Sequence, residues 1–339
     1  MRYRDTGVDI DRGNEAVRRI RHLLEQFQPA FRENIGRFGG LLPLAVQGMA
    51  APHLVASIDG VGTKTRVAAL VDRWEVCGRD VIAHGINDVL VQGAFPLAAL
   101  DYLGMGRIVP ERVEAIVRGM LEECTRYGVV LIGGETAELP DVYAHDDVDV
   151  VAVVIGLVDG DRVLDGQTVR PGDRLLGLPS TGLHTNGYTL ARKLFFERLG
   201  WAPDRWLDEC QMTLADALLQ PHRCYLPYVK PLLERGLVRG LAHITGGGLT
   251  ENVPRSLPKG TTARIRLGTW PVPPIFELIQ RLGDVPPDEM FRTFNMGIGM
   301  VVIVRPYDEP EVRQAVEALG LPVYPIGEVE AGSGGVVYG

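Results

Sequence analysis

The sequence predicts a protein of mixed α+β and α/β class in two domains, and three observations predict it. The chain has 339 residues, long enough for two domains of about 100–200 residues each. Short apolar runs that read as strands alternate with amphipathic runs that read as helices along the whole chain. A turn-rich stretch at 159–171, containing Asp-Gly-Asp, Asp-Gly and Arg-Pro, separates the two halves. We therefore place an N-terminal domain at 1–165 and a C-terminal domain at 166–339, the latter a sheet flanked by helices.

Composition narrows the function classes. Hydrophobic residues make up 46% and charged residues 23%, the balance of an ordinary globular protein. The net charge is −8 with no basic run, which argues against nucleic acid as a partner. An anionic small substrate remains compatible, because a divalent metal can supply the positive charge. The four cysteines form no Cys-x-x-Cys pair, so a reduced, cytoplasmic protein is expected rather than a disulfide scaffold. The N-terminus is polar and shows no secretory signal. No apolar run reaches membrane-spanning length.

Each element follows from its pattern. Residues 1–13 are polar and read as an arm. From Asn14, which suits an N-cap, Val17, Ile20, Leu23, Leu24 and Phe27 recur at helical spacing until Pro29. The loop Gly36-Arg37-Phe38-Gly39-Gly40 can fold its N–H groups over a phosphate; alone it reads as a connector. A strand at 53–58 leads into the turn Asp59-Gly60-Val61-Gly62-Thr63-Lys64. There an acid can hold a metal, glycines let backbone approach phosphate, and Lys64 can neutralise one. The ordinary alternative is an Asp-Gly hairpin turn. A helix built on Val81, Ile82, Ile86, Val89 and Leu90 ends at Gly93 and Pro96 and carries Asn87 and Asp88. A carboxylate among apolar neighbours needs a partner. A strand follows at 98–108, then a helix at 110–126. The apolar strand 129–132 predicts burial on both faces. It is expected to end in the loop Gly133-Gly134-Glu135-Thr136-Ala137-Glu138. A further strand spans 148–158.

The second half opens with a strand at 174–178 and the polar loop 179–188, containing Thr181, His184, Thr185 and Asn186, ahead of a helix from Thr189. Such a loop can receive an anion, and His184 can exchange a proton near neutral pH. Residues 201–236 read mainly as helix with breaks. The strand 241–244, with His243, ends in Thr245-Gly246-Gly247-Gly248. Three glycines there cost conformational entropy, which close backbone approach to a ligand or another loop would justify. Strands at 262–267, 298–304 and 323–329 and helices at 274–282 and 309–319 complete the pattern. Arg292 and Asn295 are candidate polar lining, and 331–339 is expected to fray.

Asp59, Asp88 and Glu135 are hard oxygen ligands suited to magnesium on nucleotide phosphates. No Gly-x-Ser-x-Gly elbow or Cys/His cluster with metal spacing competes. The residues alone thus point to a two-domain enzyme using a magnesium nucleotide on a small polar substrate.

The run Asp88-x4-Gly93-Ala94-x-Pro96 resembles the signature of the aminoimidazole ribonucleotide synthetase superfamily. The stretches Thr6–Ile10, Asp59–Lys64, Gly133–Glu138, Gly182–Gly187, His243–Gly248 and Phe291–Gly297 resemble the synthetases within it, in order and across nearly the whole chain. The resemblance implies ATP-dependent closure of formylglycinamidine ribonucleotide to 5-aminoimidazole ribonucleotide in purine biosynthesis. It implies an N-terminal domain that contributes strands to a barrel between the subunits of a homodimer. It implies magnesium on Asp59, Asp88 and Glu135. ATP would lie against Gly39, Gly40, Asp59, Gly60, Gly62, Thr63, Lys64, Asn87, Asp88, Gly134, Glu135 and Thr136. His184, Asn186, Thr245, Gly246, Gly247, Gly248, Arg292 and Asn295 would hold the substrate. Lys64 would act on phosphate, and His184 or His243 would carry a proton. Two alternatives remain: another ATP-dependent phosphoryl-transfer enzyme of the superfamily, such as a thiamine-phosphate kinase, or a non-catalytic nucleotide-binding regulator.

Overall fold

The computed structural model describes residues 10–30, 44 and 46–339. The expected arm before Ile10 and the Gly36–Gly40 loop, with Gly39 and Gly40, lie outside them. The chain forms two compact units, Met1–Val89 with Phe95–Gly160, and Leu90–Ala94 with Asp161–Gly339. The short piece Leu90–Ala94 joins the second unit because it is tied to 162–164. The Leu164 N–H donates to the Gln92 carbonyl at 3.0 Å. Gly93, at φ 82°, lies where a Cβ would sit 2.6 Å from the Arg162 carbonyl oxygen.

The first unit runs α1 (Ile10–Phe27), β1 (Pro52–Gly60), α2 (Lys64–Val71), α3 (Glu75–Leu90), β2 (Phe95–Met105), α4 (Pro110–Tyr127), β3 (Val130–Glu138) and β4 (Val148–Asp159). Helix α1 starts before Asn14, the expected cap. The sheet order is β1-β4-β2-β3. Only β2 and β3 are parallel, and α4 provides the crossover such a pair needs. Strand β4 alternates: Val148, Val150, Ala152 and Val154 are buried, and the residues between them are half-exposed. Helix α3 lies on the buried face, where a Cβ at Gly85 would overlap Val154 Cγ2. Glycines also set its approach to α4, since a Cβ at Gly78 would overlap the Ile116 carbonyl and one at Gly119 the Glu75 carbonyl.

Strand β3 corrects the sequence reading twice. It is an edge strand, half-exposed rather than buried on both faces. It also continues through Glu138, so Gly133, Gly134 and Glu135 lie in the sheet and not in a loop. Their register explains the glycines: Gly134 faces Asp101, and a Cβ there would overlap Asp101 Oδ1.

The second unit runs β5 (Arg174–Pro179), α5 (Tyr188–Arg192, continuing as a π turn through Arg198), β6 (Trp206–Leu207), β7 (Met212–Thr213), α6 (Leu214–Leu218), α7 (Leu226–Glu234), β8 (Gly240–His243), α8 (Gly248–Asn252), β9 (Thr261–Ile265), α9 (Pro274–Gly283), α10 (Pro287–Thr293), β10 (Ile298–Val304), α11 (Glu309–Glu317), β11 (Tyr324–Ala331) and β12 (Val336–Tyr338). Its sheet order is β12-β9-β11-β5-β10-β8, antiparallel except for β12 on β9. Strand β10 is buried at every residue. Leu175, Ala242, Ile298, Val301, Ile303 and Ile326 form the centre of one core cluster with Leu249 and Val253. Part of the expected helix at 201–236 is the β6–β7 hairpin. The expected frayed tail is strand β12. Tyr338 packs on Phe291 with ring centroids 4.8 Å apart, and its hydroxyl meets Thr250 Oγ1 at 2.8 Å.

Candidate active site

In the first unit, helix α3 carries Asp80, His84 and Asp88 at spacings of four, which puts them on one face. Strand β1 turns Ser57 and Asp59 to the same side, because they pair with the buried Val154 and Ala152. The result is a polar cluster. His84 Nε2 lies 3.1 Å from Asp59 Oδ2 and 3.5 Å from Asp88 Oδ2. Ser57 Oγ donates to Asp88 Oδ2 at 2.8 Å. The Gly60 N–H donates to Asp59 Oδ1 at 2.7 Å. His84 is buried, and sequence reasoning missed it, although the 80-84-88 spacing was visible.

Electrostatics follow from this packing. Burial pushes the His84 imidazole down, but the Asp59 hydrogen bond and the Asp88 charge outweigh it and raise its pKa. Burial pushes Asp59 up, and the His84 hydrogen bond and charge, with the Gly60 N–H, hold it below the usual value. The His84 contribution to stability is therefore complete below about pH 6.5 and is lost as pH rises through its raised folded value. That of Asp59 is present above about pH 3.9 and is lost as pH falls through its lowered value. In metal-free protein, the Asp59–His84 pair is thus expected to support the melting temperature chiefly between about pH 4 and 6.5. A series of thermal melts across pH checks this, and His84→Gln should flatten the profile.

Lys64 departs from its expected role. It begins α2 and is fully buried, with Nζ 2.5 Å from Asp80 Oδ2, itself fully buried. The sequence placed this cation on a phosphate, whereas the fold uses it to lock α2 against α3. Glu135 departs too. The sheet register aligns Asp59, Ala152, Asp101 and Gly134 in one row, and Gly60, Val151, Tyr102 and Glu135 in the next. Side chains of successive rows point to opposite faces. Glu135 therefore shares the open face, while Asp59 and Asp88 converge on the helix side. Asp101 is the acid in the Asp59 row. Burial raises its carboxyl to about 7, against its own backbone N–H, and the Glu135 charge adds to the rise. Among the other expected nucleotide contacts, Gly62 is left-handed at φ 62°, Thr63 precedes α2, Asn87 is buried, and Thr136 sits in β3 opposite Leu103.

In the second unit, the loop after β5 is held by Asn295. Ser180 Oγ donates to Asn295 Oδ1 at 2.9 Å, and Asn295 Nδ2 donates to the Gly182 carbonyl at 2.8 Å. Asn295 is buried, so it clamps the loop instead of lining a surface as expected. The loop turns His184 inward at φ 60°. The Thr181 N–H donates to His184 Nε2 at 3.2 Å. The His184 ring stacks on His222 with centroids 4.1 Å apart and 24° between planes. His222 Nε2 lies 3.0 Å from His243 Nε2. All three rings are buried.

The glycine loop after β8 is likewise built. Asn252 Nδ2 donates to the carbonyls of Thr245 at 3.3 Å, Gly246 at 3.1 Å and Gly248 at 2.9 Å. A Cβ at Gly246 would lie 3.1 Å from Asn186 Oδ1, so Asn186 and this loop come together. Gly247 has φ 96°. A Cβ at Gly248 would overlap the Phe291 carbonyl. Arg292 is exposed and pairs with Glu251, Nε to Oε1, at 2.6 Å. Beneath the histidines, a Cβ at Gly299 would overlap Tyr225 Oη and lie 2.6 Å from His184 Cε1. Gly299→Ala is expected to lower stability by about 1–3 kcal/mol through overpacking, read as a drop in melting temperature together with loss of activity.

These two constellations sit on folds that match two family models. The AIR synthase related protein N-terminal domain matches residues 45–158, and the C-terminal domain matches residues 170–339. The chain belongs to the AIR synthase related protein family. Its relatives include the phosphoribosylformylglycinamidine cyclo-ligase of Brevibacillus brevis, 44% identical over 99% of this chain and 97% of that protein. The enzyme of the same name from Bifidobacterium animalis subsp. lactis is 45% identical over 96% of both. Two solved structures share the fold at lower identity. Thiamine-monophosphate kinase from Stenotrophomonas maltophilia is 19% identical, with a TM-score of 0.65, over 93% of this chain and 95% of that one. T. maritima PurL complexed with AMPPCP is 20% identical, with a TM-score of 0.54, over 94% of this chain and 46% of that one. Among the described residues no helix is long and apolar enough to cross a membrane.

Proposed function

We infer that this chain is an ATP-dependent cyclo-ligase. It closes formylglycinamidine ribonucleotide to 5-aminoimidazole ribonucleotide, with release of ADP and phosphate, in de novo purine biosynthesis. The observation that carries this reading is identity of 44% over 99% of the chain to a protein named for that reaction. The 19% to a kinase of the same fold makes the kinase alternative much the weaker. The formyl carbon is amide-like and a poor electrophile. Phosphorylation of its oxygen by ATP turns that oxygen into a leaving group. The ribose-bearing amidine nitrogen then attacks, and phosphate departs. Catalysis of this kind rests on positioning and charge neutralisation.

Asp59 and Asp88 fit a magnesium ion. They are hard oxygen donors that converge on one spot, each with an oxygen against His84 Nε2, at 3.1 Å and 3.5 Å. Magnesium held by them would neutralise charge on the nucleotide's phosphates. Gly60, Gly62, Thr63 and Asn87 are assigned to ATP with the backbone of this turn, and Lys64 supports the turn from beneath. Asn186 and the Thr245–Gly248 loop are assigned to the ribonucleotide. His184 or His243 is assigned as the proton carrier. The free cysteines, three of them buried, agree with a reducing, cytoplasmic setting.

We assign a homodimer on the open face of the first sheet. Leu54 and Ile58 on edge strand β1 are 65% and 68% exposed. They continue an apolar face with the half-exposed Val151, Val153 and Ile155 of β4 and Leu100 of β2. An edge strand with such a face is an aggregation hazard unless a second copy covers it. Ile58→Lys is expected to shift the protein from dimer to monomer in sedimentation velocity.

ADP release measured with ATP and each candidate acceptor tests the function. Release is expected with formylglycinamidine ribonucleotide and not with thiamine monophosphate. Release with neither would leave only a nucleotide-binding role.

A further inference from the structure

We propose that Glu251 is a positioning residue for the ribonucleotide. It fixes the Arg292 guanidinium beside the Thr245–Gly248 loop, and Arg292 receives the phosphate on its two terminal nitrogens. This rests on the cyclo-ligase reading, in which that loop holds the ribonucleotide.

Local packing brings both residues to the loop. The Glu251 N–H donates to the Gly247 carbonyl at 3.0 Å, so Glu251 stands one turn beyond the loop. Its side chain lies against Gly247, where a Cβ would sit 2.7 Å from Glu251 Cβ and 3.0 Å from Oε2. Arg292 reaches the same place from α10. The Phe291 carbonyl that leaves no room for a Cβ at Gly248 accepts from Thr250 Oγ1 at 3.2 Å. The Tyr338 hydroxyl, 2.8 Å from Thr250 Oγ1, and its ring on Phe291 complete that contact. Helices α8 and α10 are thus joined without the Glu251–Arg292 pair.

The pair divides the guanidinium. Arg292 Nε donates to Glu251 Oε1 at 2.6 Å. The terminal nitrogens Nη1 and Nη2 make no hydrogen bond to a described residue. Their parallel N–H groups on a planar fork match two oxygens of a phosphate. A free arginine has many rotamers, and ordering it during binding costs affinity. The bond to Glu251 orders it before the substrate arrives. The side chains of Arg292 and Glu251 are 65% and 50% exposed, so repulsion between Glu251 and the phosphate is screened. The hydrogen bonds of the Nη pair then decide the balance.

A double-mutant cycle in the full-length protein separates positioning from packing. Arg292→Ala is expected to raise KM for the ribonucleotide about 10–100-fold, the worth of hydrogen bonds to a charged group, with KM for ATP within about twofold. Glu251→Ala should raise KM for the ribonucleotide about 3–10-fold by disordering the arginine, with kcat within about twofold. Glu251→Gln keeps an oxygen that can accept from Nε and should recover most of that loss. Once Arg292 is replaced by alanine, Glu251→Ala should have no further effect. Equal effects of Glu251→Ala with and without Arg292, or an unchanged KM for the ribonucleotide in Arg292→Ala, would overturn the proposal. Absence of ring closure in the unmodified protein would instead overturn the cyclo-ligase reading. Ribose 5-phosphate then decides the phosphate subsite by saturation-transfer NMR: binding to the unmodified protein and its loss in Arg292→Ala are expected, and no difference between the two would overturn the proposal.

Discussion

Asp88→Asn is expected to lower turnover with ATP and magnesium by about 100-fold or more while leaving the fold intact. The amide keeps the size of the carboxyl and an oxygen to accept from Ser57 Oγ, so packing against β1 is retained. What is lost is one of the two negative charges that flank His84. On the proposed magnesium assignment, metal and phosphate would then be held less firmly where charge develops, and loss of such preorganised stabilisation costs about 10²–10³ in rate. Magnesium titrations of the rate should show a raised requirement, and the melting curve should stay close to that of the parent. Near-parental turnover at ordinary magnesium would show that the metal is held elsewhere.

Lys64→Ala is expected to unfold the first unit's polar layer, not merely to weaken ATP binding. Nζ and Asp80 Oδ2 are both fully buried and 2.5 Å apart. Removing one partner leaves a buried charge uncompensated, at a cost of about 3–5 kcal/mol. Asp80→Ala should cost a similar amount. The paired change Lys64→Met with Asp80→Leu replaces both charges by apolar groups and should recover most of the stability. Denaturant midpoints measure all three. If Lys64→Ala melts like the parent and only KM for ATP rises, the lysine belongs to the phosphate after all.

The contrast between these residues shows what a sequence discloses. Asp88 was legible because a charged residue stands in an apolar helical run, and burying it demands a partner. The partner was not legible by that logic: His84 lies in the same run and reads as a tolerated core residue until β1 brings Asp59 against it. Lys64 follows a glycine turn and looks like a phosphate cation. Its burial depends on Asp80, sixteen positions on, coming under α2, which only tertiary packing reveals. Glu135 failed through register. Two glycines suggested a loop, but they are there to pass Asp101 in the neighbouring strand, and the strand that continues turns Glu135 to the other face.

The second unit repeats the lesson. The polar loop at 179–188 and the triple glycine were marked correctly as organised loops. Asn295 was read as polar lining, yet its side chain closes the β5 loop from inside. His222 offered no signal at all beside Pro221 and Arg223. Only the fold stacks it on His184 and sets it 3.0 Å from His243. The tail was misjudged because its glycines hide two residues, Val336 and Tyr338, that complete the sheet edge and cap Phe291.

The central claim is that ATP activates the formyl oxygen for displacement. Formylglycinamidine ribonucleotide carrying ¹⁸O at the formyl position, turned over with ATP and magnesium, tests it directly. One ¹⁸O should appear in inorganic phosphate for each 5-aminoimidazole ribonucleotide formed. Phosphate free of the label, with the label found in water, would contradict the account.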